Sequence, residues 1–151
     1  MKKAALIFAG LLIAVYIAAI FVPFEPAERR PGTRLGGDLA EEQDTDWSFL
    51  RGRNQIFVET RTWYLIPHSV TTVSWVVDDA FYVPCGNCDT KRWPKNVQRD
   101  PRVRLKIDGK LYERTAVRIT DPAERGRLLS VPAGESLPEG VAIYRMDPRR
   151  D

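Results

Sequence analysis

Two cysteines are the most specific chemical signal in this sequence. Cys85 and Cys88 form a Cys-x-x-Cys pair. In the cytoplasm this spacing suggests a redox site, because a helix N-terminus lowers the pKa of a nearby thiol. In an oxidising compartment the same pair would form a disulfide that braces the loop between a strand and a helix. The residues favour the structural disulfide over the redox-active pair and leave both open.

A metal centre is not expected. A four-ligand zinc site needs more cysteines or histidines than this chain has, because His68 is its single histidine. Attachment of haem needs a histidine directly after the second cysteine, and Asp89 stands there. No serine or aspartate is spaced around His68 as in a catalytic triad, so we assign this histidine no role.

Basic and hydroxyl side chains follow the cysteines. Thr90, Lys91 and Arg92 stand where a short helix, residues 90–99, is predicted to begin. Clustered donors at a helix N-terminus can bind a phosphate group. The alternative is a solvated basic face, and the residue types support both interpretations equally. For Trp93 we favour a core position, packed between the helix and the rest of the domain.

The first part of the chain predicts a membrane anchor. No residue from Ala4 to Phe24 is charged. This segment is long enough for a helix to cross a bilayer. The bulky exit ending in Pro23 favours a retained anchor over a cleaved signal peptide. We therefore predict a single-pass protein of the inner (cytoplasmic) membrane that contacts lipid through residues 4–24. The short basic N-terminal tail favours a domain outside the cytoplasm.

Composition divides the chain into three parts and excludes one class of partner. We predict the anchor over residues 1–24, a Pro- and Gly-rich linker over residues 25–43 and one domain over residues 44–151. Charged residues make up 28% of the chain and the formal charge is +3, with both signs interspersed. This pattern is typical of a solvated surface, and we expect no nucleic-acid binding.

The domain shows mainly β patterns. Strands are predicted at residues 56–58, 70–77, 80–83, 103–107, 111–119 and 141–146, and a second helix begins after Asp121-Pro122. Asp108-Gly109 predicts a hairpin turn. A two-residue turn would pair the apolar Ile107 with Lys110 rather than with Leu111. We expect a longer loop or a bulge to correct this register. The inner face of the following strand is predicted to hold Leu111, Thr115, Val117 and Ile119. The element order suggests a small closed or partly open barrel.

The segment from Lys91 to Arg125 resembles the split β-barrel flavin-binding superfamily. The closer likeness is to its deazaflavin-dependent nitroreductase branch, and pyridoxamine-phosphate-oxidase-like proteins are more distant. The resemblance implies a mainly β (α+β) fold, a small split β-barrel with two short helices. In this chain the N-terminal transmembrane helix predicted from the apolar run precedes it. The residues that carry it are Arg92-Trp93-Pro94-Lys95-Asn96, Asp100-Pro101-Arg102-Val103-Arg104-Leu105, Gly109, Ala116-Val117-Arg118-Ile119 and Asp121-Pro122-Ala123-Glu124-Arg125.

The resemblance also implies a function. It implies a flavin-like cofactor, deazaflavin or FMN, an oxidoreductase activity, and a homodimer with the cofactor site between subunits. The residues it suggests for cofactor binding are Thr90, Lys91, Arg92, Asn96 and, by a looser analogy, Arg61. Catalytic residues are not indicated.

This sequence departs from the family in two ways. The membrane anchor is one, since deazaflavin or FMN enzymes are normally supplied with cofactor in the cytoplasm. The family's glycine-rich segment before the tryptophan is replaced by Cys85-Gly86-Asn87-Cys88-Asp89. Two alternative functions therefore stay open. One is a non-catalytic ligand-binding or interaction module without a cofactor. The other is a thiol–disulfide redox protein that uses Cys85 and Cys88.

Overall fold

The structure, a computed structural model, describes residues 2–41, 46–47, 49–50, 52, 54–132 and 134–149. The predicted domain boundary at residue 44 lies outside these residues. The predicted order of strands and helices is confirmed. The elements are α1 (Lys2–Phe21), β1 (Asn54–Thr60), β2 (His68–Val77), β3 (Ala80–Cys85), α2 (Arg92–Arg99), β4 (Arg102–Ile107), β5 (Lys110–Arg118), α3 (Pro122–Leu129) and β6 (Ala142–Pro148).

The six strands form a closed antiparallel barrel in the order β1-β2-β3-β6-β5-β4. Closure comes from the pairing of β1 with β4, from Phe57 opposite Lys106 to Thr60 opposite Val103. Apolar side chains such as Val58 fill the interior, and Trp93 of α2 belongs to the same core. A second apolar cluster contains Ile143 of β6 and Leu128 of α3. The predicted fold class, a small mainly β barrel with two short helices after a long apolar helix, is confirmed.

Local sequence signals set the turns and one helix start. Asp108 and Gly109 have φ of 47° and 82°, the positive values that both central residues of a type I′ hairpin turn need. Ile107 pairs directly with Lys110, so the expected correction by a longer loop or a bulge is wrong. The Asp121 carboxylate accepts a hydrogen bond from the Glu124 amide at 2.7 Å, which caps α3 as predicted.

The predicted inner face of β5 is wrong. Tyr112 lies opposite Leu105 and Arg114 opposite Val103, and directly opposite residues share a face of the sheet. The buried Leu105 and Val103 belong to the barrel core, so the inner face of β5 carries Tyr112 and Arg114. Leu111 is buried on the outer face instead. It is covered because residues 38–40 pair with it there.

Residues 25–40, which we call the strap, lie along the outside of the barrel. Gly32 and Ser69 of β2 exchange two backbone hydrogen bonds, at 2.9 and 3.0 Å. Leu35 is buried, and its amide donates to Glu59 of β1 at 2.6 Å. Further along, the Ala40 amide donates to the Leu111 carbonyl at 2.9 Å. The segment predicted as a linker is therefore hydrogen-bonded to strands β1, β2 and β5.

Helix α1 lies outside the barrel, and none of its residues is buried. An 18-residue stretch within its 20 residues has a mean hydropathy of 2.7, so the helix is long and apolar enough to cross a membrane. The Tyr16 hydroxyl donates a hydrogen bond to the Tyr64 carbonyl in the loop between β1 and β2. This contact places the loop beside the helix.

The packing of the strap is testable at Gly32. A Cβ at this position would lie 2.2 Å from the Phe24 carbonyl oxygen and 2.6 Å from backbone atoms of Glu25 and Pro26. Backbone atoms cannot rotate away, so we expect Gly32→Ala to lower the free energy of unfolding by about 1–3 kcal/mol, as other overpacked sites do. Denaturation of the full chain in detergent measures this change.

Gly86→Ala is the matched control, because a Cβ at Gly86 meets nothing within 4 Å. Equal stability of the two variants would contradict the close approach of Gly32 to residues 24–26.

Candidate functional site

A cavity of about 680 Å³ lies where the strap, β2 and the start of α2 meet. It brings together residues from three separate parts of the chain. The lining residues with polar or charged side chains are Glu28, Arg29, Arg30, His68, Thr71, Thr72, Thr90, Lys91 and Arg92.

The loop before α2 presents the three residues predicted from the sequence. Residues 88–90 form a 3-10 turn, and the Thr90 hydroxyl donates to the Asn87 carbonyl at 2.8 Å. Lys91 occupies the N-cap position of α2 with an extended backbone, and its side chain makes no capping hydrogen bond. Lys91 and Arg92 are both exposed. The first turn of α2 therefore offers partial positive charge from its amides next to two cations.

The strap supplies two further cations. Ala27 and Arg30 exchange backbone hydrogen bonds at 2.8 and 3.2 Å, which closes a tight turn with Glu28 at φ 52°. The pairing of Gly32 with Ser69 fixes this turn beside β2. Arg29 and Arg30 are exposed and face the same cavity as Lys91. Guanidinium groups bind phosphate and carboxylate oxygens in a bidentate geometry.

His68 is a neutral group in this basic environment. The residue is buried at the beginning of β2. Burial lowers its pKa below the ordinary value of 6.5, and the charge of Arg92 lowers the pKa further. The cavity thus combines four cations, the carboxylate of Glu28 and an imidazole that can donate or accept a hydrogen bond. Such an arrangement suits an anionic ligand.

The structure does not bring Asn96 and Arg61 to this cavity. Asn96 is buried in α2, and its amide donates to the Thr60 hydroxyl at 3.0 Å. That hydroxyl donates to the His68 carbonyl at 3.1 Å, so Asn96 lies behind the cavity wall and helps to position it. Arg61 lies in a groove beside the end of α1, 3.9 Å from Asp100.

Cys85 and Cys88 form a disulfide between the end of β3 and the 3-10 turn. Both residues are buried, with exposures of 1% and 6%. Thiol–disulfide exchange needs access of a thiolate to a sulfur atom, so burial favours a structural role. The Cys88 amide also donates to the Gly140 carbonyl at 3.0 Å. The disulfide therefore braces the loop that carries Thr90, Lys91 and Arg92.

Three residues of the cavity have no role in the sequence-based prediction of the site. Arg29 and Arg30 stand out in the sequence only as charges flanking the anchor, and His68 as an isolated histidine. No local pattern connects them with α2, because the connection depends on the pairing of Gly32 with Ser69. In the part of the chain that the structure describes, no group of three His, Cys, Asp or Glu residues is placed to hold a metal ion.

The barrel resembles several solved structures. General Stress Protein 26 from Bacillus anthracis str. Sterne has a TM-score of 0.53 and 14% identity, over 70% of this chain and 88% of that one. A conserved hypothetical protein from Mycobacterium tuberculosis also has a TM-score of 0.53, with 16% identity over 78% of this chain and 87% of that one. A putative 5-nitroimidazole antibiotic resistance protein from Bacteroides thetaiotaomicron has a TM-score of 0.51 and 12% identity, over 80% and 88% of the two chains.

The chain has the split β-barrel fold. The fold implied by the resemblance, a small split β-barrel, is thereby confirmed. At these identities the likeness of the split barrel to its neighbours concerns architecture and not activity. No protein-family model and no curated protein matches the chain.

The environment of His68 predicts its titration. The pKa of His68 is lowered in the folded chain. Between that pKa and pH 6.5, the unfolded chain therefore binds more protons at His68 than the folded chain does. The stability contributed by neutral His68 is thus present above pH 6.5 and lost as the pH falls through the folded pKa. We expect NMR of the single histidine to give a pKa below 6.5.

Arg92→Ala should raise this pKa part of the way, because burial, the larger cause, remains. Lys95→Ala removes a charge from the same helix away from the cavity, and it should leave the pKa unchanged. A pKa of 6.5 or higher in the unmodified chain would contradict the buried position of His68.

Proposed function

We propose that this chain is a membrane-anchored split-barrel protein that binds a flavin-like cofactor, deazaflavin or FMN, in the cavity between the strap and α2. The observation that carries the proposal is the convergence of Arg29, Arg30, Lys91 and Arg92 on one cavity. Its volume of about 680 Å³ lies within the range of small-molecule sites. A phosphorylated planar ligand needs both this charge and this space.

The residues present fit the phosphate end of such a cofactor. Four cations and the first turn of α2 supply donors that an anionic group requires. Val70 and the buried Trp93 add apolar surface to the same lining. Neutral His68 supplies a hydrogen-bonding group without a further charge. When bound, a flavin or deazaflavin supplies hydride-transfer chemistry, and the protein holds and orients it. We therefore propose an oxidoreductase activity.

The placement of the domain outside the cytoplasm is part of this proposal. The disulfide between Cys85 and Cys88 supports it, because disulfides persist in oxidising compartments. The apolar character of α1, none of whose residues is buried, supports the membrane anchor. The family resemblance also supports a homodimer, in which a second copy would complete the cofactor site.

A non-catalytic module that binds an anionic ligand is the second candidate. The observation in its favour is the segment Cys85-Gly86-Asn87-Cys88-Asp89, which replaces the family's glycine-rich approach to the cofactor phosphate and which a buried disulfide holds. The third alternative, thiol–disulfide exchange, is less favoured because both cysteines are buried.

Titration of the purified full chain in detergent with FMN and with deazaflavin, followed by absorbance and fluorescence, tests the proposal. We expect binding of at least one of them. Each charge-assisted hydrogen bond contributes about 1.5–3 kcal/mol, so Lys91→Ala and Arg92→Ala should each weaken binding by roughly tenfold to a hundredfold. Arg30→Ala should weaken binding in the same way, because the strap contributes to the same cavity.

Lys95→Ala is the matched control, since Lys95 is exposed on α2 but does not line the cavity. Failure of both cofactors to bind would refute the cofactor proposal. If inorganic phosphate still bound and depended on Lys91 and Arg92, the result would favour the non-catalytic module.

A further inference from the structure

The loop between β1 and β2 exposes apolar side chains beside the anchor helix. Trp63 is 77% exposed and Leu65 is 68% exposed. Trp63 is the most exposed large apolar residue among those that the structure describes, above every large apolar residue of α1. Its ring packs edge-on against Tyr64 at 5.3 Å. We call residues 62–67 the anchor loop.

The exposure is built into the backbone of the anchor loop. The Thr62 hydroxyl donates to the Ile66 carbonyl at 2.6 Å, and the Ile66 amide donates to the Tyr64 carbonyl at 2.9 Å. Leu65 has a φ of 69°, which glycine would adopt at no steric cost. A compact turn thus holds a leucine in a strained conformation with its side chain in solvent. A contact with an apolar phase would account for this arrangement.

The position of the anchor loop along α1 identifies that phase. The Tyr16 hydroxyl donates to the Tyr64 carbonyl. Tyr16 precedes the last helical residue, Phe21, by about 7.5 Å along the axis at the rise of an α-helix. If α1 crosses a bilayer, Tyr64 lies at the depth of the last turn and a half of the span. This depth lies about 7.5 Å inside the end of the helix, within the roughly 5–10 Å by which interfacial apolar segments enter the boundary between headgroups and acyl chains. Trp and Tyr are enriched in this interfacial region.

Arginines lie next to the loop on the barrel side. Arg34, Arg61 and Arg102 line a groove of about 580 Å³ whose apolar wall includes Phe21 and Leu65. The side chains of Arg61 and Arg102 are 54% and 50% exposed. A guanidinium nitrogen of Arg61 lies 3.9 Å from the Asp100 carboxylate, and one of Arg102 lies 2.7 Å from it.

The other two carboxylates in this groove lie beside arginines of their own. Glu59 pairs with Arg104 and Glu113 with Arg149. The groove therefore carries more positive than negative charge, beside an apolar wall.

We propose that the anchor loop is a second membrane contact of this protein. Trp63 and Leu65 insert into the interface of the bilayer, and Arg34, Arg61 and Arg102 face the phosphates of anionic phospholipids. The groove matches this partner because it combines apolar and cationic surface at the end of the membrane helix. The inference rests on the proposed insertion of α1. It adds that the barrel is docked on the membrane surface through a second contact.

Quenching of tryptophan fluorescence by brominated phosphatidylcholine tests the insertion of Trp63. The full chain is reconstituted in phosphatidylcholine vesicles that contain phosphatidylglycerol, with bromines near the headgroups. Trp47 and Trp93 are only 5% and 3% exposed, so the difference between the unmodified chain and Trp63→Phe isolates Trp63. We expect bromine to quench this difference signal. Trp75→Phe, on β2 of the barrel, should keep the quenching.

The role of the arginines has a separate readout. Each arginine near an anionic surface changes the ratio of docked to undocked loop by roughly fivefold. Arg61→Gln with Arg102→Gln should therefore reduce the gain in Trp63 quenching that phosphatidylglycerol produces. Arg118→Gln removes an exposed charge that does not line the groove, and it should have no effect. Quenching that is independent of phosphatidylglycerol would overturn the assignment of the arginines.

Alkaline extraction of the vesicles separates this inference from the anchor itself. If the chain stays in the membrane after extraction but Trp63 is not quenched, α1 is inserted and the anchor loop is not a membrane contact. If extraction releases the chain, the proposed anchor fails and the second contact fails with it. Retention together with quenching of Trp63 supports both.

Discussion

The arrangement of the whole domain depends on the buried carboxylate of Glu59. Glu59 is 7% exposed, and a buried carboxylate must be paired and hydrogen-bonded. Arg104 lies directly opposite on β4 and donates to it at 2.6 Å, across the strand pair that closes the barrel. The Leu35 amide of the strap donates to the same carboxylate at 2.6 Å. Loss of one partner of a buried ion pair typically costs about 3–5 kcal/mol of stability. The Glu59 carboxylate therefore connects the closure of the barrel with the attachment of the strap.

The candidate site follows from this attachment. The strap reaches Ser69 through Gly32 and thereby presents Arg29 and Arg30 to the first turn of α2. On the other side of the cavity, the buried disulfide braces the loop that presents Lys91. The cations that give the cavity its charge thus belong to two segments, each held on the barrel by a different constraint. An anionic ligand would bind to both segments at once.

The sequence predicts those parts of the fold that have a local cause. Alternation of Val103, Leu105 and Ile107 gives β4, and the Asp108-Gly109 dipeptide gives its turn. The inner face of β5 could not be predicted from the sequence. An apolar side chain indicates that a residue is buried, but it does not indicate whether the barrel core or another segment covers it. Leu111 is buried under residues 38–40, and these residues have the composition of a linker.

The same limit applies to the site. Thr90, Lys91 and Arg92 are adjacent in sequence, and the structure brings them to one cavity. Arg29 and Arg30 belong to the cavity through backbone hydrogen bonds to a distant strand, and such bonds depend little on side-chain type. Asn96 follows one turn after Arg92, yet its amide lies on the buried side of α2 and bonds Thr60. Proximity in sequence therefore predicts the cluster but not its orientation.

Amide hydrogen exchange tests the attachment of the strap most directly. In the full chain, the amides of Gly32 and Leu35 should exchange as slowly as amides of β1 such as Val58, because Ser69 and Glu59 accept their hydrogen bonds. Exchange of Gly32 and Leu35 at the rate of an unstructured peptide, with β1 still protected, would contradict the account. The strap would then be a free linker, and the cavity would lack the two arginines that complete its charge.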